Sequence, residues 1–142
     1  MNSLVWSVNS PVDELYAMVD NHGTKVDINS TLTIRFKNGV MASIAIGGNC
    51  KTAGSHMVFI FEKGYVEVDG WAGKWIKVFA EGEETEPSFE ESEQMSPTDN
   101  FIDSVFERDT VRVTPDQGII LSELMDAVYE SAETKRPANF RT

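Results

Sequence analysis

The side chains of this 142-residue chain that could do chemistry are few, and each candidate has a plainer explanation beside it. Cys50 and His56 lie close enough in sequence to be drawn as a thiol nucleophile and its general base. A small apolar thiol at the end of one strand and a polar residue opening the next describe the same pair more simply. His22 falls in Asn21-His22-Gly23, a turn sequence that needs no ligand to account for it. Trp71 and Trp75 bracket Ala-Gly-Lys, a spacing that would suit a sugar-stacking platform, although packing at a hairpin corner explains it more directly. Gly48 to Gly54, GNCKTAG, comes nearest to a phosphate loop. It has five residues between its glycines instead of four and a serine after the second, so no lysine would reach a phosphate. GxGxxG, HExxH, CxxC and GxSxG are absent, and the carboxylates show no paired spacing for acid–base work. No catalytic, cofactor-binding or metal-binding residue is therefore expected in this chain.

Composition narrows the class further. The net charge of −11 argues against nucleic acid, because nothing here would neutralise phosphates. Seven of the acidic residues (Glu81, Glu83, Glu84, Glu86, Glu90, Glu91 and Glu93) sit in one stretch, so the rest of the chain is only mildly acidic. A single cysteine excludes an internal disulfide and fits a reducing compartment. No secretory leader pattern and no apolar run of membrane-spanning length occur, so a soluble, cytoplasmic protein with no membrane partner is expected. Without a leader, the sequon Asn29-Ser30-Thr31 reads as coincidence.

The elements that would position any site follow from periodicity. PVDELYAMVDN (11–21) alternates loosely, with Val12, Leu15, Ala17 and Val19 apolar. STLTIRF (30–36) alternates cleanly, and Asn38-Gly39 turns it into VMASIAIGG (40–48). HMVFIF (56–61), YVEVDG (65–70) and KWIKVF (74–79) complete the strands. The glutamate-rich segment has no apolar period and predicts a solvated loop or a ragged edge strand. Ser96-Pro97-Thr98-Asp99 caps one helix, and Thr114-Pro115-Asp116-Gln117, with capping-box spacing, caps a longer one that Lys135-Arg136-Pro137 ends. At the start, Leu4, Val5 and Val8 form a helical stripe that Asn9-Ser10-Pro11 stops, with no entry signal before it. The expected organisation is one domain over 1–142. It has a truncated first helix at 1–9, strands over about 11–80, an acidic loop at 81–95, and helices at about 97–107 and 115–134. Trp6 is expected to anchor the short first helix.

Strands first and helices last predict an α+β fold with a mostly antiparallel open sheet of about six strands and helices packed on one face. HMVFIF is apolar on both faces and VMASIAI is nearly free of charge on both, so a second covering layer is needed. Two full helices and a fragment cover only one face. The other is assigned to a homodimer.

Several segments together resemble the C-terminal domain of the Gfo/Idh/MocA oxidoreductases: TLTIRFKNGVMASIAI, FEKGYVEVDG, DNFIDSV and DTVRVTPDQGIILSELMDAVYESAETKRP. The last block carries most weight, with a short exposed strand at Val111-Arg112-Val113, a Thr-Pro-Asp cap and a helix ending YESAETKRP. The resemblance spans about Leu4 to Phe140. It implies a parent enzyme that transfers hydride between NAD or NADP and a sugar, polyol or related hydroxy compound. It also implies that Asn2-Ser3-Leu4-Val5-Trp6 follows directly on the family's Asp and His. Those residues, the Rossmann domain and the Glu-Lys-Pro motif are then missing partners that lie upstream. None of the family's catalytic or cofactor residues maps onto a position of this chain. What it carries over is the wall of a substrate pocket and a subunit-pairing sheet face. The alternative is a stand-alone α+β dimeric binding module without catalytic activity.

Lacking a strand–glycine–helix unit to present amides to a pyrophosphate, the chain alone is expected to bind no nicotinamide cofactor. Titration calorimetry with NADH and NADPH should give no saturable heat. A dissociation constant below roughly 1 mM, about −4 kcal/mol, would contradict this.

Overall fold

The computed structural model describes residues 1–49, 51, 54–70, 73–87 and 96–140. In chain order the elements are α1 (Asn2–Val8), β1 (Val12–Asp20), β2 (Asn29–Phe36), β3 (Met41–Gly47), β4 (His56–Phe61), β5 (Gly64–Asp69), β6 (Ile76–Ala80), β7 (Glu83–Thr85), α2 (Pro97–Val105), α3 (Pro115–Thr134) and β8 (Ala138–Asn139). The α+β class and the antiparallel pairing are as expected. The strands, however, divide between two four-stranded sheets, ordered β3-β2-β1-β8 and β4-β5-β6-β7, where one sheet of about six was anticipated. Two compact units correspond to them: Met1–Cys50 with Asn100–Thr142, and Lys51–Asp99. Periodicity places a strand's faces but not its neighbours. The eight-residue link between β3 and β4, far longer than a hairpin loop, leaves that pairing unspecified.

In the first unit, β2 buries Ser30, Leu32, Ile34 and Phe36 and turns the residues between them outward. Its partner β1 buries Val12, Leu15 and Ala17, a spacing of three and then two. A register shift between Val12 and Glu14 accounts for it: one extra residue lets both Val12 and Leu15 reach the same face. This is why the sequence alternates only loosely there. The turn from β2 to β3 is a three-residue loop, in which Gly39 (φ 86°) takes the left-handed position and Phe36 N–H donates to Val40 O at 2.9 Å.

Helix α3 lies on the inner face of this sheet and buries Leu124, Val128 and Ser131. Fully burying an aliphatic side chain such as Leu124 is worth about 1.5–3 kcal/mol. At its N-terminus the Thr114 N–H donates to Gln117 Oε1 at 3.0 Å, the return half of a capping box. At the other end Lys135 (φ 56°) adopts the left-handed cap and donates its N–H to Ser131 O at 2.9 Å. The Ser131 hydroxyl, fully buried, accepts the Ala17 N–H of β1 at 3.0 Å and donates to Arg136 O at 2.7 Å.

Helix α1 sets Leu4, Val5 and Val8 against the margin of this core. It ends on Asn9 (φ 45°), whose N–H donates to Val5 O, two residues before the proline. Trp6 does not anchor it: the indole is 71% exposed. On a helix it points about opposite the Leu4–Val8 stripe, so the same periodicity that buries the stripe exposes the tryptophan.

In the second unit, Glu81 (φ 56°) and Gly82 (φ 88°) form a tight two-residue turn of the primed type that starts β7 as a short edge strand within the acidic stretch. Lys77 holds that strand, with Nζ 3.0 Å from Glu84 Oε1 and 3.4 Å from Glu86 Oε1. These carboxylates, Glu84 first, raise the lysine's pKa. Tyr65 and Phe79 stack across β5 and β6 with centroids 5.1 Å apart. Gly64 is required where it stands, because any side chain there would run into the Phe79 carbonyl.

Ser131→Ala should destabilise the protein by about 1–3 kcal/mol, since it strands a buried N–H and a carbonyl together. Urea unfolding checks this, and a change under 0.5 kcal/mol, roughly the scatter of a surface substitution, would mean that other groups satisfy both atoms. A second outcome follows from α1, a seven-residue helix with no buried residue and no side-chain cap bond. Amides of residues 2–8 should exchange well before those of 120–132, because helices this short are marginal without packing.

Candidate interaction surface

Of the residues that sequence pattern offered for chemistry, His22, His56 and Trp75 fall within the described residues. Cys50, Trp71 and the acidic residues Glu90, Glu91 and Glu93 lie outside the described residues. His56 is exposed and opens β4 opposite Asp69. His22 (φ 48°) is a turn residue: Asn29 Nδ2 donates to its Nε2 at 2.7 Å, with Asp20 Oδ2 at 3.5 Å. That contact closes the β1–β2 loop. Trp75 precedes β6, and its carbonyl accepts the Asp69 N–H at 3.1 Å. Among the described residues, no three His, Cys, Asp or Glu side chains gather as a metal site requires, and no helix is long and apolar enough to cross a membrane.

One polar cluster escaped the sequence reading. Asn100, in the first turns of α2, donates from Nδ2 to Asp109 Oδ2 and to Thr110 O, both at 3.0 Å. Its Oδ1 accepts the Arg112 N–H at 3.1 Å. Asp109 accepts the Thr110 N–H at 2.7 Å and pairs with the Arg112 guanidinium at 3.3 Å. The Thr110 hydrogen bond foremost, with help from Asn100 and Arg112, lowers the Asp109 pKa below the usual aspartate value. The segment Val111-Arg112-Val113, expected as a short exposed strand, is not a strand. Within it the Arg112 N–H goes to the Asn100 side chain instead, as does the carbonyl of Thr110 just before it. A buried asparagine between Asp99 and Phe101 was the available signal, but sequence gives no burial.

Two surfaces of the first unit are large enough to meet something. The outward face of its sheet is a grid of three rows across β1, β2 and β3: Glu14–Arg35–Met41, Tyr16–Thr33–Ser43 and Met18–Thr31–Ala45. Its one opposite-charge pair is Glu14 with Arg35, at 3.4 Å. The inward residues Ala42 and Ile44 of β3 pack on the core, so the two faces of this strand are unequal. Separately, a half-open groove of about 720 Å3 runs between α1 and the first half of α3, with Trp6, Val5, Ile120 and Phe140 among its lining and Glu123 at its side.

A family model described as "Oxidoreductase family, C-terminal alpha/beta domain" matches residues 11–140. Similar solved structures include an aldose–aldose oxidoreductase from Caulobacter crescentus, complexed with glycerol. It is 14% identical with a TM-score of 0.82, over 98% of this chain and 44% of its own. The WlbA dehydrogenase from Bordetella pertussis, in complex with NADH and UDP-GlcNAcA, is 20% identical with a TM-score of 0.77, over 99% of this chain and 44% of its own. An oxidoreductase from Sinorhizobium meliloti is 15% identical with a TM-score of 0.78, over 99% and 49% respectively. At these identities the likeness is one of fold. The chain spans less than half the length of these structures. No curated protein sequence matches it.

The Asn100 cluster lies within the matched span and has a pH signature. A carboxylate with a lowered folded pKa contributes stability that is present above its unfolded value and is lost as pH falls through the folded one. The Thr110 and Arg112 amide resonances should therefore hold their positions down to the ordinary aspartate pKa of about 3.9 and move only below it. In Asn100→Ala both should broaden at neutral pH. Unchanged resonances in that variant would show that the loop is held by other means.

Proposed function

We propose, from the premise that the chain belongs to the Gfo/Idh/MocA oxidoreductase family as its C-terminal α/β domain, that it serves as the substrate-pocket and oligomerisation half of an NAD(P)-dependent sugar or polyol oxidoreductase. The chemistry belongs to a preceding domain that holds the cofactor and the proton-transfer residues, and this chain alone turns over nothing. Two ligands of the related structures, glycerol and UDP-GlcNAcA, are polyhydroxylated, which supports the substrate class.

The observation that carries the oligomerisation half is the outward grid of the first sheet. Tyr16 and Met18 in β1 and Met41 in β3 stand exposed among small neutral residues, and the only opposite-charge pair there neutralises itself. Pairing two copies through this face about a two-fold axis would let one patch serve both, at the usual scale of about 800 Å2 per partner. Substrate contacts would then come from parts of the domain that face the preceding one.

Light scattering at micromolar concentration should report about twice the 15.8 kDa chain mass. Ala45→Glu places a charge on the outward grid and should weaken the dimer by about 3 kcal/mol, roughly a hundredfold or more in Kd, while leaving the fold intact. Ile44→Glu points the same charge at the core and should lose the folded state. A wild-type monomer at high concentration, or an Ala45→Glu protein that dimerises as before, would overturn the pairing.

A further inference from the structure

We draw no further inference here: the strongest candidate, the half-open groove between α1 and the first half of α3 with Trp6 among its lining, is an unpartnered surface, and nothing in the structure shows what covers it.

Discussion

The first sheet depends on the Ser131 hydroxyl. Strand β1 lies between a full-length neighbour, β2, and a two-residue one, β8, which pairs only with Glu14 and Leu15. Past that short partner the Ala17 N–H would be a buried donor with no strand to receive it. An amide left in that condition costs about as much as several surface contacts supply. Helix α3 covers this stretch, and its only means of satisfying the amide is a side-chain oxygen close to its own axis. Serine is small enough to bring the helix near and can accept and donate at once. The donated bond, to Arg136 O, fixes the chain just past the left-handed cap, where it returns as β8. Helix, strand edge and the start of the terminal strand therefore meet at one oxygen atom.

Asn100 solves the same problem in a different place. Its amide carries two donors and an acceptor, the set that a neighbouring strand would offer to a backbone. It meets Thr110 O and Arg112 N–H as a strand partner would, and the segment needs no sheet. Asp109 and Arg112 then tie the loop to itself. In both cases a polar residue in a helix takes bonds that a strand neighbour would otherwise make: the Ala17 N–H in one, the Thr110 carbonyl and the Arg112 N–H in the other.

Such devices mark the limit of what this sequence discloses. Apolar period reports which face of an element is buried: the alternation of β2 turns Leu32, Ile34 and Phe36 inward. Along the α3 stripe of Ile120, Leu121, Leu124, Val128 and Ala132, by contrast, only Leu124 and Val128 are buried and Ile120 stands exposed. Turn and cap chemistry is local, so Gly39, Ser96 and Thr114 were legible; the Asp99 N–H does donate to Ser96 Oγ, at 3.1 Å. Partnership is not local. Whether β3 would meet β4, whether Trp6 would turn inward, and which serine would be buried all depend on what packs opposite. The bulge at β1 sits between these cases: the irregular spacing of Val12, Leu15 and Ala17 was visible, but its cause is a pairing shift against β2. A suggestive spacing, such as Cys50 with His56 or Trp71 with Trp75, describes only a line of sequence, and a site requires convergence in space.

The outward grid also answers to this distinction between face and partner. A strand pattern such as Thr31, Thr33, Arg35 reads as solvent-facing, and taken alone β2 gives no reason to expect a partner. The neighbours alter the balance, since register sets Tyr16 beside Thr33 and Met18 beside Thr31, with Arg35 between Glu14 and Met41. The apolar content of these three rows is spread over Tyr16, Met18 and Met41, all exposed. It offers long, adaptable side chains at the places where a second copy would press. The Glu14–Arg35 pair brings no net charge to such a contact, and its remaining hydrogen-bonding capacity favours one registration over others. For the pairing proposed here, Met18, Met41 and Tyr16 would supply the buried area, and the ion pair would set the alignment.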